Sequence, residues 1–145
     1  MNLPIITSAV ALCATVTGGL LSGLYFAFEV STRKSFARLP DDQYVEVFAG
    51  INQAILNPRF LTVFALAPLS SVLLAILVPT RWTILAATAS LVALGITVAG
   101  NVPLNNYLDN AFTSQNAVSE IRANFESRWN CLLYTSDAAD DMQCV

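Results

Sequence analysis

Three long apolar runs, separated by short polar segments, dominate the pattern of hydrophobic and polar positions along the chain. They cover residues 5–28, 58–78 and 82–102. The first run has 24 residues without a charge. As a helix it would measure about 36 Å, and the hydrocarbon core of a bilayer is about 30 Å thick. The other two runs have 21 residues each, so the pattern predicts three transmembrane helices.

A shorter amphipathic segment lies between the first two runs. It opens at Asp41 and Asp42, because acidic side chains at a helix start accept hydrogen bonds from free backbone amides. It ends at Asn57-Pro58, because the residue before a proline leaves the helical region. Being short and half polar, it predicts an amphipathic interfacial helix of about four turns. The residues on its apolar face are Tyr44, Phe48, Asn52, Ile51 and Ile55.

The chain beyond residue 107 is polar and predicts a helix over 117–129 but no fourth span. The predicted fold class is an all-α transmembrane helix bundle with three spans plus one amphipathic interfacial helix. The fourth span that would close the bundle is missing. A row of small residues in the first span is expected to face protein, since small side chains let helices approach closely. This row is Ala11, Thr15, Gly19, Gly23 and Ala27.

The composition excludes several classes of site. The chain has no histidine, which removes His-based triads and most zinc sites. Its three cysteines, Cys13, Cys131 and Cys144, have no CxxC spacing, so no metal and no cofactor site is predicted. Residues 1–130 carry seven basic and seven acidic residues, and this balance argues against nucleic acid as a partner. The lipid bilayer is the expected partner.

The basic residues are divided unevenly between the two expected sides of the membrane. Arg81 lies in the short hairpin between the last two spans, and the other six basic residues lie on the opposite side. The positive-inside rule then puts those six in the cytoplasm. The expected location is the plasma (inner) membrane, with the N-terminus and the hairpin on its outer side.

Asparagines gather at the predicted cytoplasmic end, and two accounts of them remain open. They are Asn52, Asn57, Asn101, Asn105 and Asn130. In one account they cap helix ends and satisfy backbone groups freed by prolines. In the other they form the polar floor of a pocket in an apolar surround. Glu29, the carboxylate near a span end, is expected to pair with Arg33 at i,i+4 rather than to act as a base.

The segments 25–28, 52–58, 101–105 and 129–130, with Asn-Val-Pro-Leu-Asn at 101–105, resemble the family of small four-helix membrane proteins typified by fungal anthrone oxygenases. The resemblance covers residues 1–130. It implies a four-span bundle and a cofactor-independent oxidation of an activated aromatic carbon by dioxygen. Family members commonly continue Trp129-Asn130 with a histidine and a fourth span, whereas Cys131 follows here.

The tail is a separate prediction. Residues 131–140 resemble a translated sequencing adapter, so residues 131–145 are expected to be a non-native tail that packs against nothing. The membrane helix-bundle domain is then 1–130. Within that domain, the missing fourth helix should leave an apolar groove along the first and third spans.

Two functions remain in competition. The first is an oxygenase-like enzyme that binds a small apolar aromatic substrate, with Asn57, Asn101 and Asn105 as catalytic residues. Its substrate pocket would include Asn52, Trp129 and Asn130. The alternative is a non-catalytic membrane module that packs with a partner, such as a second copy of the chain. A transporter is the least favoured, because no titratable residue lies deep in the spans.

Overall fold

The computed structural model describes residues 3–113 and 117–136. For residues 132–136 it describes the backbone alone. Within residues 3–113, short non-helical stretches at 37–40, 56–57 and 78–80 separate the helices. The helices are α1 (Leu3–Ala27), α2 (Arg33–Phe36), α3 (Asp41–Ile55), α4 (Pro58–Leu77), α5 (Arg81–Ile96), α6 (Val102–Thr113) and α7 (Val118–Ser136). Two π-helical turns, π1 (Phe28–Thr32) and π2 (Thr97–Asn101), extend α1 and α5. The all-α fold class is confirmed.

Among the described residues, three continuous helical segments are long and apolar enough to cross a membrane: Leu3–Phe36, Pro58–Leu77 and Arg81–Thr113. They confirm three candidate spans and indicate an integral membrane protein. The first and third are longer than predicted. Each continues through its π turn into polar sequence, because a helix does not require apolar side chains once its backbone bonds are formed.

The chain divides into two compact units. We call Met1–Phe26 with Asn57–Leu94 the span unit, and Ala27–Leu56 with Gly95–Val145 the aromatic unit. Both divisions within long helices fall at or just before a π turn. The small-residue row of α1 leaves open space in the span unit. A Cβ added at Gly19 or Gly23 would meet nothing within 4 Å. The expected close approach of another helix at this row therefore does not occur within the described chain.

In the span unit, the ends of α4 and α5 follow local sequence chemistry. Asn57 caps α4 by accepting a hydrogen bond from the Phe60 amide at 3.0 Å, and Pro58 occupies the first turn. Thr80 and Thr83 cap α5 reciprocally, each hydroxyl accepting a hydrogen bond from the other residue's backbone amide.

The buried residues in the middle of α4 have small side chains. Pro68 lies within α4, which continues to Leu77. Ser70 donates to the Leu66 carbonyl at 2.6 Å rather than to the Phe64 carbonyl that Pro68 leaves without a helical donor. Ser71 accepts a hydrogen bond from Ser90 of α5 at 3.4 Å. These hydroxyl groups therefore lie on the buried face of α4, where close helix packing needs small residues.

The core of the aromatic unit is formed by α3, α6 and α7, which pack against one another. The amphipathic character of α3 is confirmed, although the buried face is narrower than predicted, since Ile51 and Ile55 are only half-buried. The most buried residues of this face are Tyr44, Val45, Phe48, Ala49 and Asn52. The face packs against Ile121, Phe125 and Trp129 of α7, which recur every four residues.

Helix α7 differs from the prediction at its C-terminal end. The predicted helix ended at residue 129, but α7 ends at Ser136. Residues 131–136 of the predicted non-native tail are therefore helical. Residues 137–145 lie outside the described residues. The expectation that residues 131–145 pack against nothing therefore stays a prediction.

Candidate functional site

An aromatic cluster occupies the centre of the aromatic unit. The ring centroids of Trp129 and Phe48 lie 5.0 Å apart, and those of Trp129 and Phe28 lie 5.9 Å apart. Phe48 also contacts Phe125 edge-on at 5.2 Å. The indole of Trp129, 9% exposed, thus joins π1, α3 and α7. Offset and edge-on ring pairs of this kind contribute about 0.5–1.5 kcal/mol each beyond the area they bury.

Glu29 lies next to this cluster on π1. Its Oε1 atom accepts a hydrogen bond from the Arg33 guanidinium at 2.8 Å, and both side chains are 22% exposed. The predicted i,i+4 pair is therefore confirmed, but it is largely withdrawn from solvent. The second carboxylate oxygen of Glu29 is buried without a hydrogen-bond donor among the described residues.

Four further buried polar atoms in the aromatic unit have no hydrogen-bond partner within the described part of the chain. One is a donor, the Nδ2 amide of Asn52, whose residue is only 6% exposed. Three are acceptors, the Oδ1 atoms of Asn101, Asn105 and Asp109. A buried polar group without a partner costs about 1–3 kcal/mol, so native structures rarely keep several together without a reason.

The three acceptors form a polar row, defined as Asn101, Asn105 and Asp109. They are spaced four residues apart from the end of π2 along α6, and residues four apart share a helical face. Helix α6 packs against α3, which carries Asn52, and both α6 and π2 pack against α7, which carries Trp129. The unit therefore holds one unpartnered donor, three unpartnered acceptors and an aromatic cluster on mutually packed elements.

Arg122 of α7 is the most connected side chain among the described residues. Its guanidinium donates to the carbonyl oxygens of Leu39 at 2.6 Å and Ala37 at 3.2 Å, and to Asp41 Oδ1 at 2.9 Å. These bonds fasten the turn before α3 to α7. The sequence analysis did not identify this role, because its partners are more than 80 residues away in the chain.

Two further groups complete the environment of Arg122. Its Nε atom donates to Glu126 at 2.8 Å, and its guanidinium lies 4.4 Å from the ring centroid of Tyr44. The hydrogen bond that Arg122 donates to Glu126, followed by the one it donates to Asp41, raises the pKa of Arg122 against the effect of burial. Burial first, and then the charge of Glu126, raises the pKa of the Tyr44 phenol well above its ordinary value, although Arg122 opposes this.

The predicted site residues fall into both units. Asn52, Asn101, Asn105, Trp129 and Asn130 all belong to the aromatic unit. Within it, Asn130 is half-buried on α7, directly after Trp129. Asp109 was missed as a candidate, although it continues the four-residue spacing of Asn101 and Asn105. That spacing was the signal available in the sequence.

Asn57 belongs to the span unit and serves as the cap of α4. The capping account is thus confirmed for this residue. Its predicted proximity to Asn101 stays a prediction. The expected groove along the first and third spans also stays a prediction.

Residues that could ligate a metal are dispersed in the described part of the chain, where no group of three His, Cys, Asp or Glu side chains lies together. Comparison with protein-family models, curated proteins and solved structures gives no match to this chain. The resemblance to the anthrone oxygenase family therefore stays a prediction.

Proposed function

We propose that the aromatic unit binds a small, flat, apolar molecule that carries polar substituents. The observation that supports this most directly is the amide of Asn52, which is 94% buried and has no acceptor for its N–H group among the described residues. Asn52 follows Phe48 by one helical turn, so the free N–H lies next to the aromatic cluster. A ligand carbonyl would satisfy it.

The surroundings of Asn52 favour an aromatic ligand. The rings of Phe28, Phe48 and Trp129 offer apolar faces and edges, which suit offset stacking with a planar molecule. The polar row supplies acceptors for hydroxyl groups at the ligand's periphery. Few convergent polar groups within an apolar surround are typical of small-molecule sites.

We further propose, from the family resemblance, that the bound molecule is oxidised without a cofactor. In that reaction a methylene carbon of an anthrone-type ketone and one dioxygen molecule give a second carbonyl group and one water. The ring carbon first loses a proton, and the negative charge moves to the ketone oxygen. Asn52 would donate its N–H to this oxyanion, an interaction that strengthens as charge develops. Asn101 and Asn105 would orient the ligand.

A non-catalytic function remains the second candidate, because several polar residues have structural roles. Asn57 caps α4, Glu29 pairs with Arg33, and Arg122 fastens the turn before α3. A membrane module that packs with a partner would need only these roles. The open row at Gly19 and Gly23 would suit a second copy of the chain.

Trp129 provides a direct test, since the chain has only two tryptophans. In a Trp82→Phe variant in lipid nanodiscs, Trp129 fluorescence reports on the cluster alone. Added anthrone should quench this fluorescence with a saturable curve. Asn52→Leu should raise the Kd about 5- to 100-fold, because the site loses a buried hydrogen bond.

Two controls separate binding from partition into lipid. Anthracene has the same ring shape but no carbonyl group, and it should quench linearly without saturation. Asn106→Leu makes the same substitution at an exposed residue next to Asn105, and it should leave the Kd unchanged. Linear quenching by anthrone in the parent variant would favour the non-catalytic function.

A further inference from the structure

The acidic residues of the aromatic unit differ in how their charge is compensated. Asp41 and Glu126 both pair with Arg122, and Glu29 pairs with Arg33. Another group of carboxylates is exposed, namely Asp42, Glu46 and Glu120. Asp109 belongs to neither group. It is half-buried, and its Oδ1 atom is inaccessible and has no donor among the described residues.

The position of Asp109 relates it to the proposed site. It lies one turn beyond Asn105 and two turns beyond Asn101, on the same face of the helical segment. Its helix packs against α3 and α7, the two elements that carry Asn52 and Trp129. Asp109 is therefore an uncompensated carboxylate on the same packed elements as the unpartnered amide groups.

We propose that Asp109 is the proton acceptor of this site, an assignment that rests on the proposed function. An unpaired carboxylate is an acceptor for a C–H proton, whereas a carboxylate that already bonds a guanidinium has its lone pairs engaged. The ring carbon gives its proton to Asp109, and the resulting enolate gives two electrons to dioxygen and forms a C–O bond. Asp109 returns the proton to the peroxide. The carbon then loses its remaining hydrogen as a proton while the O–O bond breaks, which releases water and leaves the new carbonyl.

The chemistry requires a base and the chain has no histidine. Glu29 is the competing candidate, because its second oxygen is also buried without a donor. Its first oxygen, however, already accepts a hydrogen bond from the Arg33 guanidinium at 2.8 Å. Asp109 has no such partner among the described residues.

The test compares Asp109→Asn with the parent protein in nanodiscs, using anthrone as the probe. Binding is followed by Trp129 fluorescence in the Trp82→Phe background, and turnover by dioxygen uptake and quinone absorbance. The substitution keeps the shape of the side chain but removes the base. We expect the Kd to change less than about 3-fold, while kcat falls at least about 100-fold, the lower range for loss of a general base.

Two further variants exclude a merely structural role. Asp109→Glu, which retains a carboxylate, should recover part of kcat, and Glu46→Gln, at an exposed carboxylate of α3, should leave kcat unchanged. Unchanged kcat in Asp109→Asn, with binding and turnover intact in the parent, would overturn the role of Asp109 alone. A parent protein that neither binds nor oxidises anthrone would overturn the proposed function, and the role of Asp109 with it.

Discussion

At the scale of single residues, Arg122 shows how one side chain can order a polar turn. Its planar guanidinium reaches two carbonyl oxygens and two carboxylates at once, a geometry that lysine cannot reproduce. Its face covers the ring of Tyr44, which is almost fully buried. The turn between α2 and α3 is therefore held by a residue of α7.

Replacing Arg122 should destabilise the aromatic unit. Arg122→Ala is expected to lower the free energy of unfolding by about 2 kcal/mol, because charged hydrogen bonds to a partly buried group contribute about 1.5–3 kcal/mol. Denaturant unfolding in detergent micelles measures this. Arg128→Ala, an exposed arginine on the same helix, should change stability by less than about 0.5 kcal/mol. Equal effects of the two substitutions would contradict the role of Arg122.

Tyr44 predicts a dependence of stability on alkaline pH. Burial raises its pKa in the folded protein, whereas the unfolded phenol has a pKa of about 10. The unfolded state therefore loses its proton first, and the contribution of Tyr44 is present below pH ~10 and is lost as pH rises beyond it. Unfolding measured at pH 9 and pH 11 should show this loss. Tyr44→Phe should reduce the difference, and an identical pH dependence in the variant would count against burial as its cause.

At the scale of helices, local chemistry determines which boundaries could be predicted. The start of α4 at Pro58 follows from the Asn57 cap and the proline. Helix α3 begins at Asp41 as predicted, but no side chain caps it, and Asp41 instead accepts a hydrogen bond from Arg122. The π turns could not be predicted, because they depend on competition for backbone carbonyls. In π1, the hydroxyls of Ser31 and Thr32 both donate to the Ala27 carbonyl. Pro103 follows π2 by two residues and removes a helical donor there.

The candidate site was predicted only in part for a related reason. Asn52 could be placed on the buried face of α3 from periodicity alone, and so could Trp129 on α7. Asp109 lies in sequence that is polar overall, so hydropathy gave no indication that the helix continues to Thr113. The partners of Arg122 follow from tertiary packing, which no local pattern contains.

Asn57 caps α4 and was also predicted to be catalytic, and substitutions can distinguish these two roles. Asn57→Ala should lower the free energy of unfolding by about 1 kcal/mol, because the Phe60 amide loses its acceptor. Asn57→Asp, which also caps, should retain most of the stability. Denaturant unfolding and anthrone turnover, measured on the same samples, distinguish the two roles. A loss of turnover in Asn57→Asp without a loss of stability would restore Asn57 as a catalytic residue.

At the scale of the whole molecule, the three apolar helices indicate a transmembrane protein, and the distribution of its basic residues predicts its orientation in the membrane. Six of the seven basic residues of the chain lie in segments other than the hairpin around Arg81. Lys and Arg are retained on the cytoplasmic side during insertion.

We therefore predict that the hairpin at residues 79–81 faces the outside of the cell. The test uses a variant in which Cys13, Cys131 and Cys144 are replaced by serine, with a single new cysteine at Thr80 or at Ser35, both exposed positions. A membrane-impermeant maleimide should label Thr80→Cys in intact cells, and Ser35→Cys only after the membrane is opened. Because the charge asymmetry is the only basis for the assignment, the reverse labelling pattern would show that it does not set the orientation of this chain.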